Sequence, residues 1–239
     1  MAADRSEERA AMLEQQLARR GISDRRVLDA MGAVPREAFV PPERAHEAYG
    51  DHAVSLAAGQ TISQPWIVAA ICQALELAAD DRVLEIGTGS GYSTAVISRL
   101  AGEVISIERL PELARLARRN LAEAGEREVE VICADGSVGL PERAPFDAIA
   151  VHAAIPTEPQ QLLVQLGPGG RLVAPVAVAP GAEREPGEYL VRWLRPRGAD
   201  QQELERPEGR GYLRQTISAC RFVPLIGAAG YPDPQAGSG

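Results

Sequence analysis

The residues whose types and spacing most clearly imply chemistry are Glu85, Gly87, Gly89, Gly91 and Glu108. The first four lie in RVLEIGTGSGY, Arg82 to Tyr92, and the last closes the segment VISIE. Glycine takes positive φ without a Cβ penalty, so glycines at alternate positions let a ligand come close to main-chain N–H groups. A nucleotide-like molecule suits such a turn. The spacing is G-x-G-x-G, however, and not the G-x-G-x-x-G that lays a pyrophosphate on a helix N-terminus. Glu85, just before the turn, would repel an anion and favour a positive centre. The sulfonium and ammonium groups of S-adenosylmethionine meet that description. Glu108, about 20 residues beyond the first glycine, stands where an acid accepts hydrogen bonds from ribose hydroxyls in doubly wound folds. A purely structural turn, or another nucleotide fold, is the alternative that a glycine-rich βα turn always carries.

Other candidates are spread along the chain. Gln60 to Gln64 is a polar, hydroxyl-bearing loop before Pro65, which is placed to open a helix and to deliver Thr61 and Ser63 above the first strand. Ser63 could also be simply the N-cap of that helix, and the two roles are compatible. VEVICADG ends in Asp135 and Gly136, where an acid at a strand's carboxyl end could accept from an adenine amino group or simply make an Asp-Gly turn. His152 follows the apolar strand FDAIAV, so its ring either enters the crevice or is satisfied by nearby backbone.

Positioning these residues requires a sheet. Val83, Leu84 and Ile86 read as a short buried strand, Ser93 and Thr94 begin a helix, and strands alternate with helices from 83 to 176. The expected fold is α/β: a Rossmann-like, mostly parallel sheet with helices on both faces and an antiparallel C-terminal end. Before it, residues 4 to 20 carry helical periodicity through Met12, Leu13 and Leu17, Gly21 stops them, and Ser23 or Asp24 caps a second helix. Further helices are expected over Pro111 to Glu123 and Glu158 to Leu166, and strands over 188–195 and in ISACRFVPLI. Residues 1–227 are expected to form one domain: a helical layer over 1–55, a cofactor-binding core over 56–176, and strands and loops over 177–227. The tail 228–239 is expected to lack fixed structure.

With 239 residues and 45% apolar composition, the chain can bury a full core. A net charge of −8 opposes general nucleic-acid affinity, which needs a clustered basic face. Cys72, Cys133 and Cys220 are far apart and odd in number, so the expectation is buried free thiols, with neither a disulfide framework nor a metal site. The charged N-terminus lacks the apolar core of a signal peptide, and no run has the length of a membrane span. A cytoplasmic protein without nucleic-acid or membrane partners is expected.

The motifs together resemble the protein-L-isoaspartate O-methyltransferase family. VPREAFV, GQTISQP, VLEIGTGSGY, APFDAIAVHAAIP, LGPGGRLVAPV and RFVPL carry the resemblance over most of the chain, and GQTISQP is the most specific of them. It implies a monomeric enzyme that uses S-adenosylmethionine to methylate isoaspartyl carboxylates in proteins and peptides. It also implies a loop of Thr61, Ile62 and Ser63 closing over cofactor and substrate, with Ser63 at the active site. Cofactor contacts are implied at Glu85, Gly87, Thr88, Gly89, Ser90, Gly91, Glu108, Asp135 and Gly136. Substrate readers are expected at Ile62, His152, Ala153, Ala154, Pro156 and Val223, with Arg221 either attracting the carboxylate or simply solvated. Two departures touch the substrate side: His152 stands where the family usually has threonine, and 177–210 is longer and more charged than in compact bacterial members. Methylation of aspartate in a peptide natural product, or of a small-molecule acceptor, is the alternative.

Overall fold

The computed structural model describes residues 5–126, 129–178, 187–198 and 211–234. Helix α1 (Ser6–Ala11) runs into a π-helical stretch, Met12–Leu17, and a 3₁₀ turn, Ala18–Arg20. The wider π turn brings Met12 and Leu17, five residues apart, onto one face, and both are fully buried. Gly21 ends the run at φ 92°. Asp24, not Ser23, caps α2 (Arg25–Ala33): its carboxylate accepts from the Arg26 amide at 2.8 Å. The proline-punctuated segment that follows forms two 3₁₀ turns, Arg36–Phe39 and Pro42–Glu47.

A two-residue ladder of β1 (Val54–Ser55) with β2 (Thr61–Ile62) precedes α3 (Pro65–Leu75). The remaining elements are β3 (Arg82–Ile86), α4 (Tyr92–Ser98), β4 (Glu103–Glu108), α5 (Pro111–Glu123), β5 (Val129–Cys133), β6 (Phe146–Val151), α6 (Gln160–Leu163), β7 (Leu166–Val178), β8 (Gly187–Leu194) and β9 (Leu213–Cys220). Seven strands form one sheet in the order β5-β4-β3-β6-β7-β8-β9. The first five are parallel, β8 adds antiparallel to β7, and β9 adds antiparallel to β8. Strand order reverses between β3 and β6, and open α/β sheets bind ligands at the carboxyl ends beside such a switch point.

Side-chain alternation fixes what each face buries. Val83, Val104 and Ala148 pack under the N-terminal helices and α3, whereas Leu84, Ile105 and Ile149 pack on the opposite face. By the same period Glu85, Ser106 and His152 fall on the first face. Three polar groups are thereby set side by side near the carboxyl ends of β3, β4 and β6.

The sequence expectations need correction at four places. The last strand is Leu213–Cys220, and Arg221 to Leu225 leaves the sheet. Pro224 lacks the N–H of a ladder residue, and its neighbours pair with HAAIP instead: the Ala154 amide donates to Val223 O and the Leu225 amide donates to Ala154 O, both at 2.8 Å. The helix expected over Glu158 to Leu166 is only Gln160–Leu163, because Pro159 turns the residue before it away from helical backbone. The tail is folded as far as Pro234: the amides of Ala228 and Ala229 donate to Asp135 Oδ2 at 2.7 Å and Ser137 Oγ at 3.0 Å, and Arg109 pairs with Asp233 at 3.1 Å. Residues 235–239 lie outside the described residues, as does most of 177–210. Of the cysteines only Cys72 is buried; Cys133 is exposed and Cys220 intermediate, because both sit at the ends of edge strands. Among the described residues no helix is long and apolar enough to cross a membrane.

Candidate active site

Gly87, Gly89 and Gly91 take φ of 94°, 58° and 91°, and each is glycine for a different reason. A Cβ on Gly91 would press against Leu121 Cγ at 3.1 Å, and one on Gly87 would touch His152 Cβ at 3.5 Å. A Cβ on Gly89 would meet nothing closer than Leu56 Cδ1 at 3.9 Å and the Thr61 carbonyl at 4.0 Å, so this position faces open cleft. Gly136 closes the floor, where a Cβ would fall 2.7 Å from Ile86 Cγ2. The Gly89 amide donates to Glu108 Oε2 at 2.9 Å, and the Leu110 amide donates to Glu108 Oε1 at 2.9 Å. Each carboxylate oxygen keeps lone-pair capacity for a ligand.

The 60–63 loop, the glycine turn, Glu108 to Leu110, Gly136, His152, Ala153 and 223–226 enclose a cleft of about 850 Å³, mouth included. Ser90 lines this cleft, and its hydroxyl oxygen is buried without a partner. Ser63 also lines it. Gln64, not Ser63, is the N-cap of α3, and the Ser63 hydroxyl makes no hydrogen bond among the described residues. The capping alternative is thereby removed and the hydroxyl is free to meet a ligand.

Glu85 lies beneath the turn and not in the cleft. It is fully buried, and its carboxylate accepts from Ser93 Oγ at 2.6 Å, Thr94 Oγ1 at 2.5 Å and Ser106 Oγ at 2.6 Å. His152 Nε2 is 3.2 Å from Glu85 Oε1, at ion-pair distance but off the line of a hydrogen bond. Burial alone would raise the carboxyl pKa, but the His152 imidazole and the Ser106 and Ser93 hydroxyls more than offset it and hold Glu85 below the usual carboxylate range. A depressed folded-state pKa contributes stability that is full above the unfolded value, near 4.5, and is lost as pH falls through the folded one. Glu85→Gln is therefore expected to lower stability at pH 7 by about 2 kcal/mol, with the gap to wild type shrinking below about pH 4. Urea unfolding at pH 7 and at pH 3.5 measures both values. A gap independent of pH would mean that the Glu85 carboxyl titrates alike in the folded and the unfolded chain.

Comparison with known proteins decides what this arrangement is. The family model for protein-L-isoaspartate(D-aspartate) O-methyltransferase matches residues 7–186. The chain belongs to that family. A protein-L-isoaspartate O-methyltransferase of Marinobacter nauticus is 49% identical over 96% of this chain and 97% of its own length. One from Methanoculleus marisnigri is 48% identical over 94% of each. A solved protein-L-isoaspartate O-methyltransferase superposes with a TM-score of 0.74 at 27% identity, covering 93% of this chain and 67% of that one. A Plasmodium falciparum structure in complex with S-adenosyl-L-homocysteine, at 23% identity and a TM-score of 0.71 over 91% of this chain and 98% of its own, shares the fold.

Within this methyltransferase fold, the expected site residues divide by position. Thr61, Ile62, Ser63, Gly87, Thr88, Gly89, Ser90, Glu108, Gly136, His152, Ala153 and Val223 come together on one cleft. Six do not line it: Glu85, Gly91, Asp135, Ala154, Pro156 and Arg221. Glu85 is sealed by its hydroxyl partners, and Gly91 packs toward Leu121. Asp135 accepts from the Ser137 and Ala228 amides, at 2.8 and 2.7 Å. Ala154 is held between Val223 and Leu225 by backbone bonds. Sequence reasoning missed Tyr92, Leu110, Leu113 and Leu225, apolar or aromatic residues that line the cleft. Their burial-compatible types gave no signal separate from core.

Proposed function

We propose that this chain transfers a methyl group from S-adenosylmethionine to the carboxylate of L-isoaspartyl residues in proteins and peptides, beginning repair through a succinimide. The observation that carries this reading is the Ser63 hydroxyl, without a hydrogen-bond partner among the described residues and lining the same cleft as the open Gly89 position. Near-full-length relatives bearing this name do not favour aspartate of a peptide natural product, or a small molecule, as acceptor. Residues 1–227 are proposed to act as one methyltransferase domain, with 228–234 folded onto it. The protein is proposed to work as a monomer in the cytoplasm, without membrane partners; its net charge of −8 supports the absence of nucleic-acid partners.

The cofactor would be held by Gly87, Thr88, Gly89, Ser90, Glu108 and Gly136, with Thr61 and Ile62 closing over it. The unpartnered Ser90 hydroxyl, the spare lone pairs of Glu108 and the open space at Gly89 fit a polar, ribose-bearing ligand. When bound, S-adenosylmethionine supplies an electrophilic methyl group on a sulfonium. A side-chain carboxylate, with an unperturbed pKa near 3.9, is already ionised at neutral pH. The protein therefore needs no general base, which accords with a His152 set against Glu85 and not against a nucleophile. Charge is lost as carboxylate and sulfonium approach, so excluding water helps the reaction more than donors would. Ser63 holds the carboxylate by one hydrogen bond, and Ile62, His152, Ala153 and Val223 bound the peptide. Ser63→Ala is expected to lower kcat/KM for an isoaspartyl peptide by roughly 10- to 100-fold without abolishing turnover. Steady-state methylation kinetics test this: an unchanged kcat/KM would remove Ser63 from the site, and complete loss with S-adenosylhomocysteine binding intact would make it more than a positioning group.

A further inference from the structure

Arg36 is the one arginine among the described residues that is fully buried, and no carboxylate pairs with it among them. Its Nε donates to the Ala48 carbonyl at 2.7 Å and its Nη2 to the Ser63 carbonyl at 2.9 Å. The guanidinium carbon lies 4.6 Å over the ring of Tyr92, and Nη1 is buried with no partner. Phe39 meets the same tyrosine ring edge-on at 5.8 Å. One side chain therefore joins three separate pieces of chain: the N-terminal layer at Ala48, the active-site loop at Ser63, and the first residue of α4 after the glycine turn.

Packing does not account for a guanidinium here. Removing a cation from water without a counter-ion is costly, and apolar residues of similar volume in place of buried charges are often neutral or stabilising. What arginine offers that an apolar side chain does not is a planar fork, able to grip two carbonyls at fixed separation while its face rests on an aromatic ring. The grip on Ser63 is to its main chain and leaves the hydroxyl free on the cleft. The neighbouring residue is tied as well: Gln64 Nε2 donates to Asp51 Oδ1 at 2.6 Å and to its carbonyl at 3.1 Å. With its carbonyl held from behind and the next side chain anchored, the Ser63 backbone has little freedom to move the hydroxyl.

We propose that Arg36 is a positioning residue for methyl transfer, setting through the Ser63 carbonyl where the Ser63 hydroxyl meets the acceptor carboxylate. The proposal rests on the reading of Ser63 given above. A displacement of about 1 Å in a reacting arrangement can cost on the order of 100-fold in rate, so a backbone tie of this kind acts on kcat more than on affinity.

The test is a double-mutant cycle on the full chain. Arg36→Lys keeps the charge and loses the fork, and is expected to lower kcat on an isoaspartyl peptide roughly 10- to 100-fold. KM for S-adenosylmethionine and calorimetric affinity for S-adenosylhomocysteine should stay within about threefold, because the Arg36 hydrogen bonds go to Ala48 and Ser63 and not to the glycine turn or Glu108. In a Ser63→Ala background the same change should lower kcat by no more than about twofold, since the group being positioned is gone. Equal losses in the two backgrounds would overturn the proposal and assign Arg36 to the field of the cleft. A lowered Tm with unchanged kcat would overturn it in favour of a role in folding alone. If Ser63→Ala by itself left kcat unchanged, the reading of Ser63 would fall first, so that single variant tells the two failures apart. Should Arg36→Lys not fold, Arg36→Met, which keeps most of the volume and the apolar stem, is put through the same two backgrounds with the same expected coupling.

Discussion

Gly89→Val is expected to abolish binding of S-adenosylhomocysteine, by more than about 100-fold, while the chain remains folded. At φ 58° the position is left-handed, where a β-branched residue costs on the order of 1–3 kcal/mol. That strain falls on a turn at the surface of the cleft and does not disturb either core cluster. The two γ-methyls would occupy the gap between Leu56 and the Thr61 carbonyl, which a single Cβ already reaches at 3.9 and 4.0 Å. They would also disturb the Gly89 amide that holds Glu108 Oε2 at 2.9 Å, so the turn and the acid would be lost to the ligand together. Gly91→Val makes a useful contrast: its Cβ would meet Leu121 at 3.1 Å, and destabilisation is the expected result there. Calorimetry with thermal unfolding on both variants separates the effects. Normal S-adenosylhomocysteine affinity in folded Gly89→Val would place the cofactor elsewhere.

The core of this fold was legible because its signals are local and periodic. VLEI, VISIE and FDAIAV are apolar runs bounded by breakers, and the structure has strands at Arg82–Ile86, Glu103–Glu108 and Phe146–Val151. Pro111 opened its helix where a proline is tolerated. The glycine turn, the loop at Thr61 to Ser63 and Glu108 converge on one cleft because a βα turn and the carboxyl end of the next strand are neighbours in any such sheet. What the sequence does not show is non-local. Glu85 looked like an acid facing a ligand because nothing in the sequence says that Ser93, Thr94 and Ser106 fold over it. At Asp135 the sequence shows the local Ser137 amide but not the second one, from Ala228, 93 residues away. The tail read as structureless for the same reason, since glycine and proline content reports no side-chain acceptor elsewhere in the chain. Arg36 drew no attention inside VPREAFV: arginine is ordinarily a surface residue, and its partners Ala48 and Ser63 contribute only carbonyls.

The central claim is that this chain methylates the displaced carboxylate of L-isoaspartate and not the ordinary carboxylate of L-aspartate. Isoaspartate adds a methylene to the backbone and shifts the carboxylate, so discrimination is a matter of geometry around an extended peptide. The structure brings the three segments that would read that geometry to one place: the 61–63 loop, His152 with Ala153, and Val223 line a single cleft. The segments from β6 and from the C-terminus are further locked by backbone bonds, with the Ala154 amide donating to Val223 O and the Leu225 amide to Ala154 O, both at 2.8 Å. A rigid reader of this kind turns a carboxylate displaced by about 1 Å into a rate difference of the order of 100-fold. The direct measurement is methyl incorporation from S-adenosylmethionine into two unstructured peptides identical except for L-isoaspartate or L-aspartate at one position. The expected result is methylation of the isoaspartyl peptide at least about 100-fold faster, followed by release of methanol without enzyme as the succinimide forms. Preference for the aspartyl peptide, or methylation of neither with S-adenosylhomocysteine binding intact, would contradict the account.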